Sequence, residues 1–312
     1  MKIKLLLIFC LGFMLSACTD ERQEILLSNI QSSEYLLKVL GSDLDNNHIR
    51  NAILLREYAK ILSTKRPELK RLLTQLSADA STRGTLYSGL VQRLKTLKEQ
   101  PNAIGDIEAQ LFESESLMAA TDPNLFNDAL SDPINVIADM SEGTLARVNA
   151  VSQALSLQAN GAEDNGAGSQ LVGNPGYGQW QNNSSGMSFW HWYGMYSMFT
   201  ALSPNRIRYD RWSSRRDYSY YNDVGRDRYT SPSNVKKQDN LATKTKKQFT
   251  SNGNFKSPYA KSRMGASSMS ASSQTAQRAS SFSGKSSYSK SKASSSFRNS
   301  NSTTSRGTNR GK

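Results

Sequence analysis

Cysteine is almost missing from this chain: there are two in 312 residues, Cys10 and Cys18. Two thiols near the start of the chain cannot supply a disulfide framework or a multi-cysteine metal centre. Histidine is as scarce. His48 and His191 lie in different segments, without companion ligands at helical spacing and without a marked nucleophile beside them. His48 in "DNNHIRN" reads as a surface or capping residue, and His191, set among rings, as packed with them. No GxSxG, HExxH, Walker loop or GxGxxG occurs. "DLDNN" at 43–47 lacks the glycine and distal glutamate of a calcium loop. The carboxylate pairs Glu113/Glu115 and Asp43/Asp45 sit two apart, on different faces of a helix, and read as solvated surface. Catalysis needs convergent tunable groups. Their absence points away from an enzyme, a metal and a cofactor.

A long hydrophobic run is also lacking. The longest, Leu5 to Leu15, is interrupted by Gly12 and falls short of the ~20 residues that span a bilayer as a helix. It follows Lys2 and Lys4 and precedes the small residues Ser16 and Ala17, the layout of a secretory signal peptide over 1–17. Leu15-Ser16-Ala17-Cys18 resembles the lipobox of bacterial lipoproteins. The resemblance covers residues 1–19. It implies cleavage before Cys18, acylation of that residue and a mature chain with no free thiol. Thr19 stands where members of the class retained in the inner membrane usually carry Asp, so the expected address is the outer membrane. One acyl chain holds weakly and several hold firmly, at about 0.8 kcal/mol per buried CH₂.

Acidic residues run out toward the end. The whole chain carries +13, but residues 19–160 carry −5, 161–230 carry +1 and 231–312 carry +15, with Asp239 the one acid of the last 82 residues. That asymmetry reads as a basic interaction arm. Residues 18–160 read as a single all-α bundle. Leu26, Ile30, Leu37 and Leu40 share a face, with Gly41 placed as a C-cap. Ile49, Ile53 and Leu62 mark a second helix that must end near Arg66, because Pro67 disfavours helical geometry before it. Leu69, Leu73, Leu76, Ala80, Arg83, Tyr87, Leu90, Leu94 and Leu97 step by four and three, an a/d pattern with a break expected near 82–85. Ile104, Ile107, Leu111 and Met118 form another face. Asp122-Pro123 and Asp132-Pro133 read as N-caps of two short helices, and Leu145, Val148, Val151 and Leu155 as a last helix over 144–158. Packing within the chain is the expected use of these stripes.

Residues 161–186 are rich in Gly and Asn and read as a flexible linker. Residues 187–202 then concentrate rings: Phe189, Trp190, Trp192, Tyr193, Tyr196 and Phe199. Three uses compete for them: docking on the bundle, contact with a partner, and the membrane interface. Over 206–229 Arg, Tyr and Asp interleave, a pattern that reads as a half-ordered segment whose charges pair among themselves, or as a binder of single-stranded nucleic acid or sugar-rich polymers. The 231–312 tail holds 23 serines with large apolar residues scattered singly, and reads as disordered. Its lysines, Lys236, Lys237, Lys244, Lys246, Lys247, Lys285, Lys290 and Lys292, are the candidate polyanion contacts.

Together these features predict a lipid-anchored envelope protein without catalytic activity. Its tail would bind an anionic envelope polymer or extracellular nucleic acid while the bundle serves as scaffold. The alternative is a subunit that docks to an envelope protein through the bundle and the rings of 187–202. No small-molecule substrate is inferred.

Overall fold

Leucine at three- and four-residue spacing dictates most of the architecture. The computed structural model describes residues 2–203, 205–249, 255, 257–259, 269–279 and 286, with 2–20 and 276–279 as backbone alone. It is mainly helical, with one two-stranded sheet. The N-terminal part comprises α1 (Lys2–Asp45), α2 (Arg50–Lys65), α3 (Lys70–Ser77), α4 (Thr85–Glu99), α5 (Ile107–Ala120), α6 (Pro123–Ala129), α7 (Ser131–Met140) and α8 (Gln153–Asn160). After it come β1 (Gly178–Asn182), β2 (Ser188–Trp192), α9 (Phe199–Leu202), α10 (Tyr209–Arg215), α11 (Arg226–Tyr229), α12 (Pro232–Phe249) and α13 (Ala271–Ala279). No helix among the described residues is long and apolar enough to cross a membrane.

α1 packs on α4 and α5, and α2 on α3 and α7, so the leucine stripes are spent inside one chain. Leu40, Leu44, Leu55, Leu72 and Leu76 are almost fully buried. The break in the heptad run falls at 81–84, between α3 with its short 3₁₀ extension (78–80) and α4. Gly84 permits it: a Cβ there would lie 2.3 Å from the Asp79 Cα. α2 ends at Lys65, as Pro67 requires.

Several local expectations are corrected. α1 runs through Gly41, whose bare backbone admits the Tyr87 ring, and ends four residues later near Asn47, which takes a positive φ of 61°. The buried face of α2 is Ala52, Leu55, Ala59 and Leu62, leaving Ile53 41% exposed. Asp122 caps α6, accepting the N–H groups of Asn124 and Leu125, but Asp132 lies inside α7, which begins at Ser131. Residues 144–152 are not helical. Glu142 and Asn149 adopt positive φ, Asn135 hydrogen-bonds both backbone groups of Val148, and Ser152 caps a short α8.

The larger correction concerns residues 161–249. Where a linker is expected, Leu171, Val172 and Tyr177 are buried to 1% exposure or less, and β1 pairs antiparallel with β2 in the register Gly178↔Trp192 to Asn182↔Ser188. Gly178 is needed there because Trp190 and the His191 carbonyl would collide with a Cβ. The tail's first stretch is α12. Pro232 occupies the first turn, where its missing N–H costs nothing. Val235, Gln238, Ala242, Thr245 and Phe249, spaced three and four, turn toward the body. The remaining expectations for the tail fall largely outside the described residues.

Candidate functional site

The lysines named from sequence divide in two. Lys285, Lys290 and Lys292 lie outside the described residues. Lys236, Lys237, Lys244, Lys246 and Lys247 are all exposed on α12. At about 100° per residue, Lys236 and Lys247 lie within about 20° of one another on the helix wheel. Lys237 and Lys244 fall to one side and Lys246 to the other. The five cover roughly half the circumference, opposite Gln238 and Thr245, which are buried. Along the axis Lys236 and Lys247 are about 17 Å apart.

The helix is held by its other face. Gln238 donates to the Gly173 carbonyl at 2.8 Å and to the Tyr221 hydroxyl at 3.2 Å. Arg226 donates to the Gln238 amide oxygen at 2.9 Å, to the Val235 carbonyl at 3.0 Å and to Asp239 at 2.6 Å. The one acid of the tail lies about 20° from Lys246 on the helix wheel and is paired with Arg226. Three of the lysines sit in the last turns, where cations also suit the helix dipole.

A cleft of about 380 Å³ opens beside the start of α12, lined by α4, residues 174–177 and residues 229–234. Its floor is the Arg93–Glu113 pair, two-pronged at 2.8 Å, with side chains 8% and 2% exposed. Arg93 also donates to Ser116 and to the Arg228 carbonyl. Below it the Asp79 carboxylate accepts hydrogen bonds from Tyr177 Oη at 2.6 Å and from the backbone N–H and hydroxyl of Thr85 at 2.6 and 2.7 Å. Burial pushes Asp79 above the usual carboxylate range against those three donors. Burial likewise pushes the Tyr177 phenol well up, so it remains a donor. The floor is therefore saturated with internal partners, and neither histidine lines the cleft.

Sequence reasoning passed over most of the buried charge. Asp132 accepts the N–H groups of Tyr220 and Tyr221 at 2.7 and 2.8 Å and the Ser219 hydroxyl at 3.1 Å. Burial is the larger influence and pushes its carboxyl up to about 7. Arg147 is clamped by Asp139 and Asp217, and Arg216 pairs with Asp223 while donating to the Pro258 carbonyl. Arg93 could have been flagged: it falls in step with Leu86, Leu90 and Leu97 on the buried stripe of α4, where a cation must find a partner. Glu113, expected in solvent, is that partner.

The rings of 187–202 dock on the body. Trp190 and Trp192 are each 7% exposed, Tyr196 4% and Phe199 0%. Phe189 is half-buried, and Tyr193 stays 39% exposed. Trp180 joins the stack, its ring centre 5.1 Å from Trp190, 4.8 Å from Tyr209 and 5.1 Å from Trp212. Trp192 continues it to Phe199 at 4.9 Å, and Tyr196 reaches Tyr177 at 5.0 Å. His191 is not packed with these rings. Strand alternation turns it to the outer face, where it is exposed. His48 is also exposed, 3.0 Å from Asp43. Cys18 falls within α1. Among the described residues no group of three or more His, Cys, Asp or Glu is placed to hold a metal. Comparison with protein-family models, curated proteins and solved structures finds no match for this chain.

Proposed function

We infer that the chain is a lipid-anchored protein of the bacterial outer membrane, without catalytic activity, that holds anionic polymers against the lysine face of α12. The observation that carries this reading is the disposition of that helix. Five lysines are exposed along one side of the helix, the acid among them is paired with Arg226, and the opposite face is bonded to the body. A cationic face on a seated helix presents charge at fixed spacing, so less ordering is lost on binding than with a free arm. Suitable polymers carry phosphates or carboxylates: lipopolysaccharide, teichoic-type and peptidoglycan-linked chains, or extracellular DNA. Contacts of this kind are multivalent, weakly specific and steeply salt-dependent. Leu15-Ser16-Ala17-Cys18 supports the tether, and the helical body acts as scaffold. The alternative, docking to an envelope protein through the bundle and the rings of 187–202, has Leu27, Tyr35 and Ile53 exposed on the bundle and, of the named rings, Tyr193 and half-buried Phe189.

The test compares retention on an immobilised polyanion at low salt for three proteins: the full mature chain, the same chain ending at Phe249, and the full chain with all five α12 lysines changed to Gln. The reading expects the shortened chain to be retained and the five-Gln chain to elute early. Full retention of the five-Gln chain with loss of the shortened one would move the function to the eleven basic residues beyond 249.

A further inference from the structure

The outer face of the β1–β2 hairpin has a different chemistry from anything used above. The register pairs Gln181 with Phe189 and Gln179 with His191. Side chains alternate along a strand, so these four share the face opposite the tryptophan stack. A bridge from Phe189 to Arg208 and a bond from the Trp190 N–H to the Ile207 carbonyl at 2.9 Å add a third chain segment at the edge. The result is a groove of about 360 Å³ walled by the hairpin, by Ser197 and Thr200, and by Arg206.

Two features separate this groove from ordinary surface. Gln181, His191, Ser197, Thr200 and Arg206 are all exposed and line one concavity, and their side chains hydrogen-bond to none of the described residues. Beside them the Phe189 ring is half-buried, and Trp190, 7% exposed, backs the groove from the inner face of the hairpin. Among the described residues no Asp or Glu lines the groove, and Arg206 is the one fixed charge there. An array of amide, hydroxyl and imidazole groups around a half-buried ring, with a single guanidinium at the rim, matches a pyranose ring bearing a carboxylate. Phe189 supplies the flat apolar contact, the uncharged groups bond hydroxyls or an acetamido group, and Arg206 takes the carboxylate two-pronged. The volume is at the small end of ligand pockets, which suits one or two sugar rings. We propose that this groove binds an acidic saccharide, a site separate from the lysine face of α12.

The test exploits an accident of composition. All four tryptophans, Trp180, Trp190, Trp192 and Trp212, belong to the stack behind the groove, so intrinsic emission reports on this region alone. The full mature chain is titrated with a short carboxylated N-acetylated oligosaccharide and with its neutral counterpart. Saturable change in emission is expected with both, about tenfold tighter for the acidic one. Arg206→Gln should erase that tenfold preference and leave the neutral sugar unaffected. Thr200→Ala and Gln181→Ala should weaken both, and the five-lysine variant should bind like wild type. No saturable change with either sugar up to millimolar concentration overturns the site. Equal binding of both sugars, or an acidic preference that survives in Arg206→Gln, overturns the assignment of the carboxylate. Loss of binding in the five-lysine variant would show that the sugar sits on α12 instead.

Discussion

Asp132 carries an uncommon combination, a carboxyl buried to 3% exposure with two backbone N–H groups and a hydroxyl aimed at it from a segment nearly ninety residues away. Burial disfavours the charged form more than those donors favour it, so the group titrates near 7 in the fold. In the unfolded chain it titrates near about 3.9. A raised carboxyl binds its proton more tightly when folded. Its contribution is therefore complete below about pH 4 and is lost as pH rises through about 7, with a limiting slope of about 1.4 kcal/mol per pH unit. Urea midpoints of wild type and Asp132→Asn, followed from pH 4.5 to 7.5, should show wild type losing ground to the variant as pH rises. Parallel profiles would refute the shift. The Arg93–Glu113 pair makes a sharper case. Arg93→Met strands a carboxylate that is 1% exposed, at a cost of about 3–5 kcal/mol, and Arg93→Met with Glu113→Leu should recover most of it. If the double variant is as unstable as the single in chemical denaturation, charge stranding is not the cause.

At the scale of elements, the helices up to 140 were legible in outline from apolar stripes and some of their punctuation, although α1 runs past Gly41 and Asp132-Pro133 falls inside α7. Pro67 stops α2, Asp122-Pro123 starts α6, and Gly84 sits at the heptad break. The elements after 160 were not legible, because their burial is bought with distant polar partners that leave no local period. Tyr177 is buried for Asp79, Tyr220 and Tyr221 present their N–H groups to Asp132, and Gln238 bonds Gly173. The glycines that suggested a linker are positions where backbone and rings meet closely. Gly173, at φ 89°, has Asn222 Oδ1 at 2.7 Å and the Trp212 ring at 2.8 Å from any added Cβ. Gly173→Ala should cost about 1–3 kcal/mol by denaturation, whereas a true linker would tolerate it. α12 was missed because lysine and serine dominate its composition, although Val235, Gln238, Ala242, Thr245 and Phe249 repeat at three and four. It depends on docking. A synthetic 231–249 peptide should show little helix by circular dichroism in water, and strong helicity in isolation would contradict that dependence.

At the scale of the whole molecule, described residues on both sides of 160 share one hydrophobic core, from Leu40 and Leu76 to Val172, Trp190 and Trp212. Asp79 reaches Tyr177, Ser116 donates to the Asp227 carbonyl, Arg147 joins Asp217, and α13 lies against α6. Limited proteolysis should therefore spare 161–186 and leave a fragment running from the first helices to near 249. Early cutting inside 161–186 would restore the linker. The candidate lysines were legible as a charge excess; their arrangement was not, since only a docked helix sorts them onto one side. That arrangement is what the proposed function rests on, and salt dependence tests it most directly. Binding of a short single-stranded oligonucleotide, as a model polyanion, is measured from 50 to 300 mM salt for the full mature chain and for the five-Gln α12 variant. Each lysine contact contributes about 0.7 to the slope of log affinity against log salt, so the variant's slope should be shallower by about 3.5 if all five are used. Equal slopes in the two proteins would contradict the account.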